Sequence, residues 1–328
     1  MIKRRHLIAA SAGVAIPALT LPGSAFAQQE KITRLIVGFP PGGGTDVAAR
    51  SLAEKIRGSY PGGVIVENRP GAAGRLAVEY VKSSPADGAT MLFTTDFAMT
   101  IYPHSFRKLN YDPIKDFTPV AVCAKTSLAF IVGPTVPETV KTPADFVAWC
   151  KANPKQAAYA STSAGATPHF AGVMFTKAAG IPLLHVPYKG GAAALQDLMG
   201  GQIASSFNPV GEVLPQLKSG KLRVLATTGA QRNKFMPDVP TMVESGFKDV
   251  VAEVWLGVLM PANTPPAVVA KASTAINDAL KSAELKETYS KFGMDAMQGT
   301  PESFAALIRN DIAMWGPVIK ASGFTAEE

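Results

Sequence analysis

At 328 residues, with 47% hydrophobic and 17% charged side chains, the chain has apolar material for two domain-sized cores and is not of a disordered composition. Its formal charge of +7 is modest. The basic residues are scattered, with no aromatic-interleaved basic stripe, which argues against nucleic acid as a ligand.

The N-terminus reads as an export segment. Lys3, Arg4 and Arg5 precede a mostly apolar stretch from Leu7 to Leu21, and Ala25-Phe26-Ala27 has the small-x-small pattern of a signal-peptidase site. A signal peptide over 1–27 is therefore predicted, cut before Gln28, with a periplasmic mature protein of formal charge +4. Pro17 and the short apolar core argue against a retained membrane anchor. Arg4-Arg5 leaves both the general secretory and the twin-arginine routes open. No later run has the length of a membrane helix. Cys123 falls in an apolar strand-like run and Cys150 on a helix, and two buried thiols are the default reading over a disulfide.

Leu35, Ile36, Val37 and Phe39 make a short buried strand, and Ala48, Leu52 and Ile56 mark one face of a helix. Between them lies Phe39-Pro40-Pro41-Gly42-Gly43-Gly44-Thr45-Asp46. The glycines remove side chains that would hold a ligand off the backbone, and Thr45 or Asp46 is placed to cap the helix. Such a turn is either a simple strand-to-helix connection or an anion site. A strand over 63–67, a turn-rich loop from Asn68 to Gly74 and a helix through Val81 follow. The strand from Ala89 ends at Thr95-Asp96-Phe97, where an open α/β sheet presents residues to a ligand crevice.

Phe117 to Cys123 and Leu128 to Val132 read as two apolar runs separated by a polar interval, the second opening a further domain. Threonine before proline marks helix starts at Thr142, Thr167, Thr264 and Thr300, and Asp145 completes a capping box with Thr142. Ahead of Thr167 lies Ser161-Thr162-Ser163-Ala164-Gly165-Ala166, a hydroxyl-rich loop after a strand, with His169 in the first turn of the helix beyond it. A third such turn, Lys189-Gly190-Gly191, follows the strand 185–188 that ends at Tyr188. Repetition favours the anion-binding reading, since converging helix N-termini hold an anion without a buried cation. The strand 202–207 leads to Asn208 and Glu212, and 222–227 and 254–259 are further strands. Two helices close the chain, and Pro317 predicts a kink or an end near Trp315.

Motifs for chemistry are missing. No lysine follows the first glycine turn, so it is no triphosphate loop. There is no dinucleotide fingerprint, no nucleophile elbow around Ser163, no H-E-x-x-H and no Cys/His cluster, so neither a cofactor nor a metal is expected.

The motifs together resemble the periplasmic solute-binding proteins of the tripartite tricarboxylate transporter group, the TctC-like Bug family. The resemblance rests on Val37 to Asp46 with Ala49-Arg50, Glu67 to Gly74, Tyr111-Asp112-Pro113 with Asp116-Phe117, and Val186-Pro187-Tyr188-Lys189-Gly190. It continues through Pro237 to Thr241 with Glu244 and Gly246, and Trp255-Leu256-Gly257 with Pro261 and Pro265. It implies an α/β two-domain periplasmic binding protein fold of type II-like form, with two crossing strands as hinge and a ligand cleft between the domains. It implies too that one carboxylate of a small solute is held by the loop from Pro40 to Asp46 and the loop from Ser161 to Thr167, largely through backbone N–H groups and waters. Thr95, Asp96, Phe97, Tyr188, Asn208 and Glu212 are carried over as pocket candidates.

The expected division is residues 28–127 plus 254–328 as one domain and 128–253 as the other, closing on the solute. The expected function is a monomeric, non-enzymatic receptor that passes a small organic acid or amino acid to the membrane permease of a tripartite transporter. The alternatives are a secreted enzyme using Ser163 or Asp46 and a receptor that reports to a signalling partner. Asp96 or Glu212, where it faces the pocket, would accept an ammonium group and favour an amine-bearing acid over a tricarboxylate.

Overall fold

A computed structural model describes residues 31–326; the predicted signal segment and its cleavage point lie outside the described residues. Ten strands are found among the latter: β1 (Thr33–Val37), β2 (Val64–Asn68), β3 (Thr90–Thr95), β4 (Phe117–Val132), β5 (Ala158–Ser161), β6 (Leu184–Pro187), β7 (Ser205–Pro209), β8 (Arg223–Thr227), β9 (Glu253–Pro261) and β10 (Asp295–Ala296). They run β2-β1-β3-β9-β4-β7-β5-β6 across the sheet, with β8 and β10 also pairing β4. Strands β1, β2 and β3 are parallel, as are β5, β6 and β7, whereas β4 and β9 are antiparallel to their neighbours.

Burial on both faces explains the unbroken apolar runs. In β1, Leu35 and Val37 pack with Leu52 and Ile56, while Ile36 faces Val78 and Leu92 on the other side. Leu128, Phe130 and Val132 of β4 enter one core, and Ala129 and Ile131 enter another. Cys123 and Cys150 are free, buried thiols in different cores.

The two apolar runs expected around 117–132 are one sixteen-residue strand, β4. Its polar middle does not break pairing because each side chain there is satisfied. Lys125 meets Glu253 at 2.5 Å, Thr126 donates to the Gly293 carbonyl at 2.8 Å, and Ser127 accepts from Asn233 at 2.9 Å. Up to Ser127 the strand pairs β9; from Leu128 it pairs β7 and β8. The chain thus passes from one sheet region to the other within β4. Thr228 ties that passage to the return segment: its hydroxyl donates to the Ala252 carbonyl at 2.5 Å and accepts from the Leu128 N–H at 3.0 Å.

The helices are α1 (Gly44–Ile56), α2 (Arg75–Lys82), α3 (Asp96–Thr100), α4 (Tyr102–Ser105), α5 (Pro143–Ala152), α6 (Thr167–Ala179), α7 (Gly191–Met199), α8 (Val210–Val213), α9 (Pro266–Leu280), α10 (Ala283–Lys291) and α11 (Pro301–Ser322). Of the expected threonine caps, Thr142 forms a full capping box with Asp145, and Thr300 accepts from the Ser303 N–H. Thr264 does not cap: α9 starts one residue after Pro265, and the Thr264 hydroxyl donates to the Pro261 carbonyl. Thr167 is likewise no cap but the first helical residue, its hydroxyl turned to Asp96. Helix α11 does not end near Trp315 but runs through Pro317 to Ser322. His104 packs on Gly316 and bonds the Ile312 carbonyl at 2.8 Å, and Trp315 and Ile319 are buried, so tertiary contacts hold the helix on both sides of the proline.

Candidate functional site

A cavity of about 1080 Å³ opens where the two sheet regions meet. Its walls come from the β1–α1 loop (Phe39, Pro40, Gly44, Thr45), the end of β3 and the start of α3 (Thr95, Phe97), the β5–α6 loop (Thr162, Ser163, Ala164), and Tyr188 and Glu212. The crossing strands β4 and β9 form its floor through Lys125, Thr126, Val254 and Leu256.

The glycine turn is shaped from beneath by Asp46. This carboxylate accepts from the Gly42 N–H at 2.8 Å, Arg50 Nε at 3.0 Å and Asn68 Nδ2 at 2.7 Å. Asn68 Nδ2 also donates to the Phe39 carbonyl. Burial opposes ionisation of Asp46, but these three donors outweigh it and hold its pKa below the usual carboxylate value. Gly42 has φ +89°, a conformation that favours glycine. The helix behind the turn is capped by Gly43 with no side-chain cap, so neither Thr45 nor Asp46 caps it as expected. Pro41, Gly42 and Gly43 are exposed and Asp46 is buried, and none of the four lines the cavity. An Asp46→Ala variant is expected to lose about 1–3 kcal/mol of stability, since it removes the charged acceptor of three part-buried hydrogen bonds, and to weaken every solute by loosening the turn. Denaturant titration and calorimetry of the same variant check both.

The second loop has a different support. Ser161 is buried; its hydroxyl donates to the Ser163 carbonyl at 3.0 Å, which leaves the oxygen to accept from His185 Nε2 at 2.7 Å. His185 stacks on His169, ring centroids 3.8 Å apart and planes 9° from parallel, and His169 Nδ1 accepts the Gly165 N–H. Burial pushes the His185 pKa down to about 4; burial and then the charge of His185 push that of His169 down to about 3, so both rings are neutral. Ser161, Gly165, Thr167 and His169 therefore brace the loop from behind, and Thr162, Ser163 and Ala164 present it to the cavity. Helix α6 starts after Ala166, again without a side-chain cap.

Asp96 does not face the cavity, as one expectation would have it. It is fully buried off the cavity wall, accepts from Thr167 Oγ1 at 2.5 Å, and has a pKa raised to about 8, chiefly by burial. The neighbouring Thr95 hydroxyl is buried at the wall without a protein partner. Asn208 is buried too; it accepts from Ser206 at 2.5 Å and donates to Glu212 at 3.1 Å, so it positions Glu212 rather than lining the cavity.

Several wall residues escape sequence reasoning. Phe292 and Met294 follow α10, far along the chain, and Tyr102 lies in a short helix with no motif. Gly190 and Gly191 carried a signal, the third glycine turn, without being assigned to the pocket.

The two sheet regions, the doubly crossed passage and the cavity at their junction define a periplasmic binding protein of two-domain α/β fold. The chain belongs to the tripartite tricarboxylate transporter family receptors (TctC), whose model matches residues 48–324. It is 32% identical to the protein BugT of Bordetella pertussis over 315 residues, covering 96% of this chain and 94% of BugT. A protein of R. palustris solved with adipate superposes with a TM-score of 0.79 at 30% identity, covering 89% of this chain and 97% of the other. MatC from Rhodopseudomonas palustris with bound malate gives 0.75 at 26% identity, covering 88% and 99%. The family consists of solute receptors, so the secreted-enzyme alternative falls.

Proposed function

We propose that the protein is a periplasmic receptor that takes one carboxylate of a small organic solute in this cavity and delivers the solute to the permease of a tripartite transporter. The observation that carries the reading is the pair of uncapped helix N-termini at the cavity, α1 behind Gly43 and α6 behind Ala166. Each helix has thirteen residues, and its first N–H groups and dipole favour an anion. The orphaned Thr95 hydroxyl supplies a further donor. The solved relatives with adipate and malate support a carboxylate ligand. In this reading the N-terminal segment is removed before Gln28, the mature protein is a monomer, and domains 28–127 plus 254–328 and 128–253 close around the solute. β4, β9 and the Thr228 tie act as the hinge.

Thr45→Val and Ser163→Ala are each expected to weaken binding roughly tenfold, and similarly for every carboxylate bound, because both loops hold the group that all such solutes share. Calorimetry over a panel of acids measures this. A screen in which only uncharged compounds stabilise the protein would overturn it.

A further inference from the structure

The cavity carries three charged side chains: Lys125, Lys189 and Glu212. Lys125 is committed to Glu253 at 2.5 Å. Lys189 and Glu212 are both solvent-exposed in this open cavity, but Lys189 has no side-chain bond that fixes its direction among the described residues. Glu212 differs from both. Its carboxylate lines the cavity, yet its protein partner is the neutral amide of Asn208, and it forms no ion pair among the described residues.

The carboxylate is also held in place. Asn208 Nδ2 donates to Oε2 at 3.1 Å and reaches the Gly191 carbonyl at 3.5 Å, while Asn208 Oδ1 is fixed by Ser206. A Cβ on Gly191 would stand 1.6 Å from Glu212 Oε2, so the missing side chain is what lets the carboxylate sit against the start of α7. The third glycine turn is thus occupied by the protein's own anion. A second solute carboxylate arriving there would meet a like charge, and closure around an apolar solute would strand Glu212 without compensation.

We infer that Glu212 is a specificity-determining residue that accepts hydrogen bonds from an ammonium group remote from the solute's clamped carboxylate, selecting amine-bearing acids over dicarboxylates. The inference rests on the receptor reading above: the two loops hold the carboxylate, and Glu212 reads the other end. Asn208 sets the carboxylate's direction, and Gly191 provides its seat.

Calorimetry with length-matched series tests it, running from β-alanine, malonate and propionate to ε-aminocaproate, adipate and caproate, with the corresponding alkylamines. At the best-fitting length the native protein is expected to bind the amino acid roughly tenfold or more tightly than the diacid. Glu212→Gln should close that gap and raise the monoacid affinity, because closure on an apolar end then strands no carboxylate. Gly191→Ala, which displaces the same carboxylate, should close it as well. A diacid bound as tightly as the amino acid, through Lys189 for example, or a gap that survives Glu212→Gln, overturns the role of Glu212 while leaving the clamp intact. An alkylamine bound as well as the amino acid, or no binding of any acid in the series, overturns the carboxylate clamp and this inference with it.

Discussion

Phe130→Ala is expected to lower folding stability by about 3–5 kcal/mol, among the largest effects of any single truncation in this chain. Phe130 is fully buried in β4, two residues beyond the point where the strand leaves β9 for β7 and β8. Its ring stacks on Phe207 at 4.8 Å and 20°, meets Phe146 edge-on at 5.2 Å, and touches Phe175 at 4.8 Å. Alanine therefore removes the hub of a four-ring cluster whose other members sit on separate elements and cannot all move in to fill the space. Phe130→Leu keeps most of the volume and should cost under about 2 kcal/mol. Denaturant titration of both variants decides: a loss below about 1 kcal/mol for the alanine variant would mean that the cluster collapses freely.

The second large effect is a stability profile with a maximum near pH 6.5. His169 and His185, stacked and neutral, have pKa values pushed down by burial to about 3 and about 4 from an ordinary 6.5. Between 6.5 and those values the unfolded chain binds protons that the folded protein refuses, so stability falls as pH drops, by up to about 1.4 kcal/mol per pH unit for each ring. Asp96 acts with the opposite sign. Burial first, and the nearby Asp311 charge after it, raise its pKa from 3.8 to about 8 against the pull of the Thr167 hydrogen bond. Over that interval the folded protein keeps a proton that the unfolded chain has lost, so stability falls as pH rises, by up to about 1.4 kcal/mol per pH unit.

The two histidines outweigh Asp96 just below pH 6.5, and above it their contribution ends while that of Asp96 continues. Glu212 and Asp311, also raised by burial, act with the sign of Asp96 from their ordinary 4.5 and 3.8 upward. Asp46, Asp87, Asp112 and Asp116, whose values are lowered, contribute stability that is lost only as pH falls below their ordinary 3.8. Unfolding free energies across this range measure the profile, and Asp96→Asn should flatten the limb above pH 6.5. A limb unchanged by that substitution would show that Asp96 is ionised in the folded protein.

The elements that were legible in the sequence are those whose signal is local. Leu35 to Val37, buried on both faces, could only be an interior strand, and the Thr142 capping box placed α5 to the residue. The failures share a cause. Thr167 precedes a proline as Thr142 does, but a buried carboxyl seventy-one residues away takes its hydroxyl. The polar interval in β4 looked like a break, because Glu253, Gly293 and Asn233, which satisfy it, come from distant parts of the chain. Pro317 predicted a kink or an end near Trp315, and the helix does not end there; contacts that hold it, such as that of His104, come from distant parts of the chain.

The same division runs through the site. Residue order alone placed two small-residue loops ahead of helix N-termini, since glycine freedom and unpaired N–H groups are properties of a few adjacent residues. Whether an acid near those loops braces, binds or discriminates depends on burial and on partners from other elements. Only the tertiary structure put Asp46 beneath its turn, buried Asp96 against Thr167, and left Glu212 open to the cavity in the space that Gly191 leaves free.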